Sequence, residues 1–198
     1  MHVVNTMTAS MESLLLQIKN YTPISAELVS AIHTLFKEEK FTQNEFLLRE
    51  HQQVRKLYFV NKGILRTYYH HDGKDVTSWF YPENQFVTYW YGFYKQAHSH
   101  EYIEALDDSL VFGIDYVEYQ KLIENHPQFE RFARLLAEEQ LAFLDAFYKG
   151  YMFMSAKDKY ELLLSMFPDI ELRVKLGHIA SFLGISQETL SRIRKKRI

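Results

Sequence analysis

Along the chain, hydrophobic and polar positions fall into three textures. The first is helical. In Ser25-Ala-Glu-Leu-Val-Ser-Ala-Ile-His-Thr-Leu-Phe, the apolar residues Leu28, Ile32, Leu35 and Phe36 recur at the spacing of one helix face. Helices are expected over 11–20 and 25–38, the second capped by Ser25 after Pro23. From Phe41 the texture shortens. Runs rich in Val, Tyr, Phe and Leu predict strands over Glu45–Leu48, Lys56–Val60, Gly63–His70, Val76–Tyr81, Tyr102–Ala105 and Ser109–Ile114. The breaks Asn61-Lys62-Gly63 and Asp72-Gly73-Lys74 have hairpin chemistry, because Gly accepts positive φ. Several short strands at close, regular spacing predict an antiparallel roll or barrel.

The third texture is helical again. Asp115 can cap a short helix through Glu124, and Pro127 suits the first turn of a long one. Phe129, Phe132, Leu135, Leu136, Leu141, Leu144, Phe147 and Tyr148 form a nearly heptad stripe. Such a stripe can lie on the roll or pair with a second copy of itself. Gly150 is the expected break, placing a domain boundary near Gly150–Ser155. Ser155-Ala-Lys-Asp has the look of a capping box and opens a helix from Ala156 to Phe167. Pro168 stops it, and two short helices follow, Leu176–Leu183 and Gln187–Lys196. The expected fold is α+β. A jelly-roll-like antiparallel β-roll with flanking helices occupies 1–150, including the long helix at about 127–149, and a helix-turn-helix occupies 151–198.

Composition narrows the chemistry. With no cysteine, disulfides, thiolate nucleophiles and cysteine-held iron-sulfur clusters are excluded. No apolar run is long enough to span a bilayer, and the start lacks the basic and small-residue regions of a signal peptide. A cytoplasmic setting fits. Charge is uneven: from Glu171 to Ile198, seven basic residues face two acidic ones, a net of +5, while the other 170 residues carry −7. A basic tip on an acidic body suits a polyanion partner at the tip.

The segment Leu176-Gly-His-Ile-Ala-Ser-Phe-Leu-Gly-Ile-Ser-Gln-Glu-Thr-Leu-Ser-Arg-Ile-Arg-Lys-Lys gives that tip a purpose. Ile179, Ala180 and Leu183 form an inner face, Gly184 suits a left-handed turn, and Ile185 plugs the space between helices. Ser186 can cap the second helix, which Leu190 and Ile193 anchor. Gln187, Glu188, Ser191, Arg192 and Lys195 are left outward, a face suited to a major groove. Arg194, Lys196 and Arg197 would face phosphates. The plain alternative is a helical hairpin with a basic end.

These residues resemble the recognition helix of the Crp/Fnr regulators. Leu57-Tyr-Phe-Val-Asn-Lys-Gly-Ile-Leu-Arg-Thr-Tyr-Tyr, Asp72-Gly-Lys-Asp and Ile103-Glu-Ala-Leu-Asp-Asp-Ser resemble that family's cyclic-nucleotide-binding roll. The resemblance is colinear over roughly 25–197. It implies a homodimeric transcription regulator, not an enzyme, joined through the long helix by Phe132, Leu136, Leu144 and Phe147 and reading a palindromic site. By position it assigns base contacts to Gln187, Glu188 and Arg192, and phosphate contacts to Ser186 and Thr189. The family's usual wing is not expected after the second helix, so Lys195, Lys196 and Arg197 would supply the remaining backbone contacts. Double-stranded DNA and a second copy of the chain are the implied partners, with RNA polymerase a further candidate and no membrane.

The same resemblance puts Thr88-Tyr89 where nucleotide-binding members hold the ribose with Gly-Glu, and Ser99-His100 where they hold the phosphate with Arg-Ser. Both pairs are lost, so cAMP binding in the usual way is not expected and no cofactor is assigned. An effector site, if any, would draw on Tyr89, Trp90, Ser99, His100 and Tyr102 amid Phe86, Tyr91, Phe93 and Tyr94; equally, these aromatics can simply fill the roll. A rival reading comes from Gly92, His98, His100 and Glu104, whose spacing resembles the first metal motif of cupins and would make the chain a metal-dependent enzyme. No second cupin motif follows, and the chain turns helical after Asp115.

Overall fold

Helices α1 (Val3–Lys19) and α2 (Ala26–Leu35) precede the strands in a computed structural model that describes residues 3–196, with side chains from Met11 onward. The strands are β1 (Lys37–Phe41), β2 (Phe46–Leu48), β3 (Lys56–Lys62), β4 (Leu65–His71), β5 (Lys74–Tyr81), β6 (Phe86–Val87), β7 (Tyr102–Ala105) and β8 (Ser109–Asp115), with helix α3 (Trp90–Lys95) between β6 and β7. Then come α4 (Tyr116–Asn125), α5 (Pro127–Tyr151), α6 (Ala156–Met166), α7 (Ile170–Arg173), α8 (Leu176–Leu183) and α9 (Gln187–Lys195).

The strands form two antiparallel sheets, in the orders β1-β8-β3-β6 and β2-β7-β4-β5. Leu57, Tyr58, Phe59 and Val60 of β3 are all buried, which requires cover on both faces; α1 packs on this strand. The continuous apolar run there is what a strand covered on both sides looks like in sequence. At the β3–β4 turn, Gly63 has φ of +100°, and a Cβ there would lie 2.8 Å from the Ser109 Cα. A side chain is excluded both by conformation and by space.

Several boundaries differ from the sequence reading. The second helix ends at Leu35, not 38, because Lys37 begins β1, paired with Gly113 of β8. This strand, Lys-Glu-Glu-Lys-Phe, lies at a sheet edge, where charged residues discourage further pairing and hide the strand from a hydrophobicity search. The long helix does not break at Gly150 but runs on to Tyr151. Helices α3 and α7 were not expected; α3 falls in the aromatic stretch Trp90-Tyr91-Gly92-Phe93-Tyr94, which has no clear period. The caps at Ser25, Ser155 and Ser186 form as expected, accepting from the N–H groups of Leu28, Asp158 and Thr189.

Two buried clusters organise the interior. One fills the roll and joins it to α1, α2, α4 and the first half of α5, through Phe129, Phe132, Ala133 and Leu136. The other joins Ile64, Phe80 and Leu106 of the roll to Tyr160, Leu163, Phe167, Ile170, Ile179, Phe182, Leu183 and Leu190. The C-terminal helices are thus packed onto the roll through a shared apolar core.

Candidate nucleic-acid interface and sensor cavity

Helices α8 and α9 make the helix-turn-helix. Gly184 closes α8 in the left-handed region, φ +68°, and the next N–H, of Ile185, bonds back to the Ala180 carbonyl at 3.0 Å. Ile179, Ala180, Leu183 and Leu190 are at most 2% exposed and lock the two helices together. This fixes the outward side of α9. Gln187, Glu188 and Arg192 are all exposed on it. Gln187 lies over Gly177 of α8, where a Cβ would come within 2.6 Å of its Nε2. The Glu188 carboxyl is held below its usual range, first by its own backbone N–H at the helix start, then by the Ser186 hydroxyl, with Arg192 adding to the effect. Ser186, Lys195 and Lys196 are exposed and Thr189 is partly so; Arg197 lies outside the described residues. Arg194, expected to face phosphates, is instead paired with Glu171 at 2.7 Å.

The helix-turn-helix is fastened to the roll by polar groups as well. The Ser181 hydroxyl donates to the Asp75 carbonyl at 2.7 Å and accepts from the Thr77 N–H at 3.0 Å. Arg173 bonds both oxygens of Glu83 at 2.8 Å and reaches Asp107 at 3.0 Å. Those carboxylates in turn accept from the Gly63 and Ile64 N–H groups, so one guanidinium ties the C-terminal helices to the β3–β4 turn. Beneath α8, Arg66 is 2% exposed and meets Glu104 at 3.0 Å, an ion pair close in distance but without hydrogen-bond alignment. Burial, reinforced by the charges of Arg66 and Lys175, pushes His178 down to about 4, so it is neutral at physiological pH.

A cavity of about 570 Å3 lies between β5, β6, α3 and α5. Tyr89 and Trp90 line it. Ser99, His100 and Tyr102 do not. Ser99 is fully buried and spends its hydroxyl on the Glu101 backbone, donating to the carbonyl at 2.7 Å and accepting from the N–H at 3.0 Å. His100 is exposed, and Tyr102 stacks on Tyr68 at 4.8 Å, away from the cavity. Among the lining residues that the sequence did not single out is Glu101, whose carboxylate accepts from the Ser78 hydroxyl at 2.6 Å. Burial pushes this carboxyl up, and the Ser78 bond partly opposes the shift. Its place one residue before β7 was the available signal, but the direction of its side chain depends on where the strand starts.

Other expected groupings do not assemble. Phe132 and Leu136 are 0% and 6% exposed within their own chain, so their ring and branch are already used by the roll. Phe147 is stacked on Tyr151 at 4.6 Å, while Leu144 is 44% exposed. His98 and His100 are exposed whereas Glu104 is buried against Arg66, and no group of three or more metal-binding side chains occurs among the described residues.

A double-sheet roll, a long helix packed on it by its first half and a small helix-turn-helix docked on the same roll make up the architecture. Residues 38–126 match the cyclic nucleotide-binding domain family. Among solved structures, FixK2 from Bradyrhizobium japonicum aligns at 18% identity over 82% of this chain and 84% of its own, with a TM-score of 0.71. A CooA variant from Carboxydothermus hydrogenoformans aligns at 20% identity over 92% of this chain and 83% of its own, TM-score 0.66. A structure described as a putative transcriptional regulator of the Crp/Fnr family from Eubacterium rectale aligns at 18% over 89% and 87%, TM-score 0.68. No curated protein matches the chain in sequence. The chain therefore has the fold of these structures, and its roll resembles the cyclic nucleotide-binding domain. Among the described residues, no helix is long and apolar enough to cross a membrane.

The domain family implies a cyclic nucleotide, but these residues do not fit one. No Lys, Arg or His lines the cavity among the described residues, whereas Glu101 and Glu139 do. A cyclic phosphate there would meet two carboxylates and no cation.

Proposed function

We propose that the protein is a sequence-specific DNA-binding transcription regulator of the Crp/Fnr type, acting as a homodimer on a palindromic duplex. The observation that carries it is the outward side of α9: Gln187, Glu188 and Arg192 stand exposed on a helix whose opposite side is sealed by Leu190, 0% exposed. On a major groove, Arg192 can bond guanine O6 and N7, Gln187 adenine N6 and N7, and the anionic Glu188 cytosine N4. Ser186, Thr189, Lys195 and Lys196 flank that side and would meet phosphates. Selection of sites from random duplexes tests this directly. One inverted-repeat motif is expected, bound with an affinity that falls steeply as salt rises. Enrichment of no motif would overturn the proposal.

Arg192→Ala is expected to cost about 1–3 kcal/mol of operator affinity and to relax preference at one base pair per half-site. A site-selection profile identical to the wild type would remove Arg192 from the base-reading set.

The second half of α5 supports a dimer. Leu141, Leu144 and Tyr148, 70%, 44% and 63% exposed, recur at helical spacing beyond the part buried in the core of the roll, with Leu144 and Tyr148 at the border of the cavity. This moves the interface towards the C-terminal end of the helix, away from Phe132 and Leu136. Leu144→Glu is expected to yield monomers in sedimentation at micromolar protein, with the fold intact. A dimer of wild-type strength would place the interface elsewhere.

A further inference from the structure

The cavity beside α5 is lined by aromatic rings and by polar side chains, two of them carboxylates and, among the described residues, none of them basic. Trp79, Tyr81, Phe86, Tyr89, Trp90 and Phe147 present aromatic surface, Glu101 stands on the roll side and Glu139 on α5. We infer that this cavity binds an organic cation, an amine carried on an aromatic or branched apolar body, with its ammonium set against Glu101. The inference concerns the cavity alone and stands whether or not α9 reads DNA.

Three observations support it. The first is charge. An anion would be desolvated beside two carboxylates without a counter-charge, whereas a cation finds both a carboxylate and ring faces whose quadrupole attracts it. The second is the state of Glu101. Its recorded donor is one hydroxyl, Ser78 at 2.6 Å, and a carboxylate has room for several more hydrogen bonds. An ammonium supplies those donors and restores the charged form that burial disfavours. Glu139, by contrast, already accepts from the Tyr21 hydroxyl on the far wall, so it adds field more than a direct contact. The third is size, since about 570 Å3 falls within the range of small-molecule sites.

The chain's two tryptophans, Trp79 and Trp90, both line the cavity, so their emission reports its occupancy. The full chain, free of DNA, is titrated at neutral pH with phenylbutylamine, phenylbutanol, phenylbutyrate and cAMP; the first three share one body and differ in head group. The amine is expected to bind about tenfold tighter than the alcohol, equivalent to about 1.4 kcal/mol, with the butyrate and cAMP weaker than the alcohol. Glu101→Gln, checked for an unchanged far-ultraviolet spectrum, should bring the amine down to the affinity of the alcohol. Glu139→Gln, at an exposed position, should weaken the amine less and leave the order of the four probes unchanged. Butyrate or cAMP binding as tightly as the amine, a folded Glu101→Gln that keeps the amine preference, or no binding by any probe would each overturn the assignment. Because no duplex is present, failure here leaves the DNA-binding proposal untouched, and failure of site selection leaves this one untouched.

Discussion

Arg66→Ala should destabilise the protein by about 3–5 kcal/mol, the range for removing one partner of a buried ion pair. Arg66 is 2% exposed and Glu104 8%, and the two sit directly opposite each other on β4 and β7. Without the guanidinium, Glu104 keeps its desolvation cost and loses its counter-charge. The Tyr68 ring also loses the cation stacked 4.0 Å from its centre. Neutralising both partners is a different matter. Arg66→Met with Glu104→Leu removes both buried charges and fills similar volume, and Asp75, which Arg66 also bonds at 3.3 Å, is exposed enough to turn to water, so the pair of changes should recover most of the loss. Denaturant midpoints of the two single variants and the double variant check this. A loss below about 1 kcal/mol in Arg66→Ala would mean that the pair behaves like a solvated surface bridge. The same double variant should ease protonation of His178, which the Arg66 charge opposes.

Phe80→Ala carries an effect of similar size in a different place. The Phe80 ring is fully buried between the roll and the C-terminal helices, 5.6 Å from Phe182 and 6.4 Å from Phe167. Truncation of such a ring costs about 3–5 kcal/mol. That is much of a typical domain stability, and the cavity falls within the cluster that holds α8 to β5. Hydrogen exchange should therefore rise first in the amides of α8 and only later in β3 and β8. Equal loss of protection throughout would show that roll and C-terminal helices unfold as one unit, and that Phe80 does not act as a separable clasp.

Where the sequence spoke clearly, the cause was local. The helix-turn-helix is set by contacts a few residues apart: the small Ala180, the left-handed Gly184, the capping Ser186 and the anchoring Leu190. Strands β3 and β8 were visible because cover on both faces leaves runs of apolar residues. Strand β1 was hidden by its four charged residues. Arg66 was overlooked for a related reason: an arginine reads as solvent-facing until the register with Glu104 is known. The effector residues failed through direction. Ser99, His100 and Tyr102 are close in sequence to the cavity, yet the turn before β7 aims Glu101 into it and sends Tyr102 to the opposite surface. The stripe on α5 was found, but spacing alone does not say that Phe132 and Leu136 are buried in the core of the roll while Leu141, Leu144 and Tyr148 stay exposed.

Trp79 belongs to two neighbourhoods at once. Its indole forms part of the cavity wall and also meets Phe167 at 5.8 Å and Phe182 at 5.5 Å, both in the C-terminal region. If the cavity takes a guest and α9 a duplex, as proposed, both bear on this one ring: a guest that favours one of its angles would favour one placement of the C-terminal helices, and thermodynamic reciprocity would have a duplex that holds that placement tighten the grip on the guest by the same factor. A single side chain would then serve both, with no relay through the length of α5.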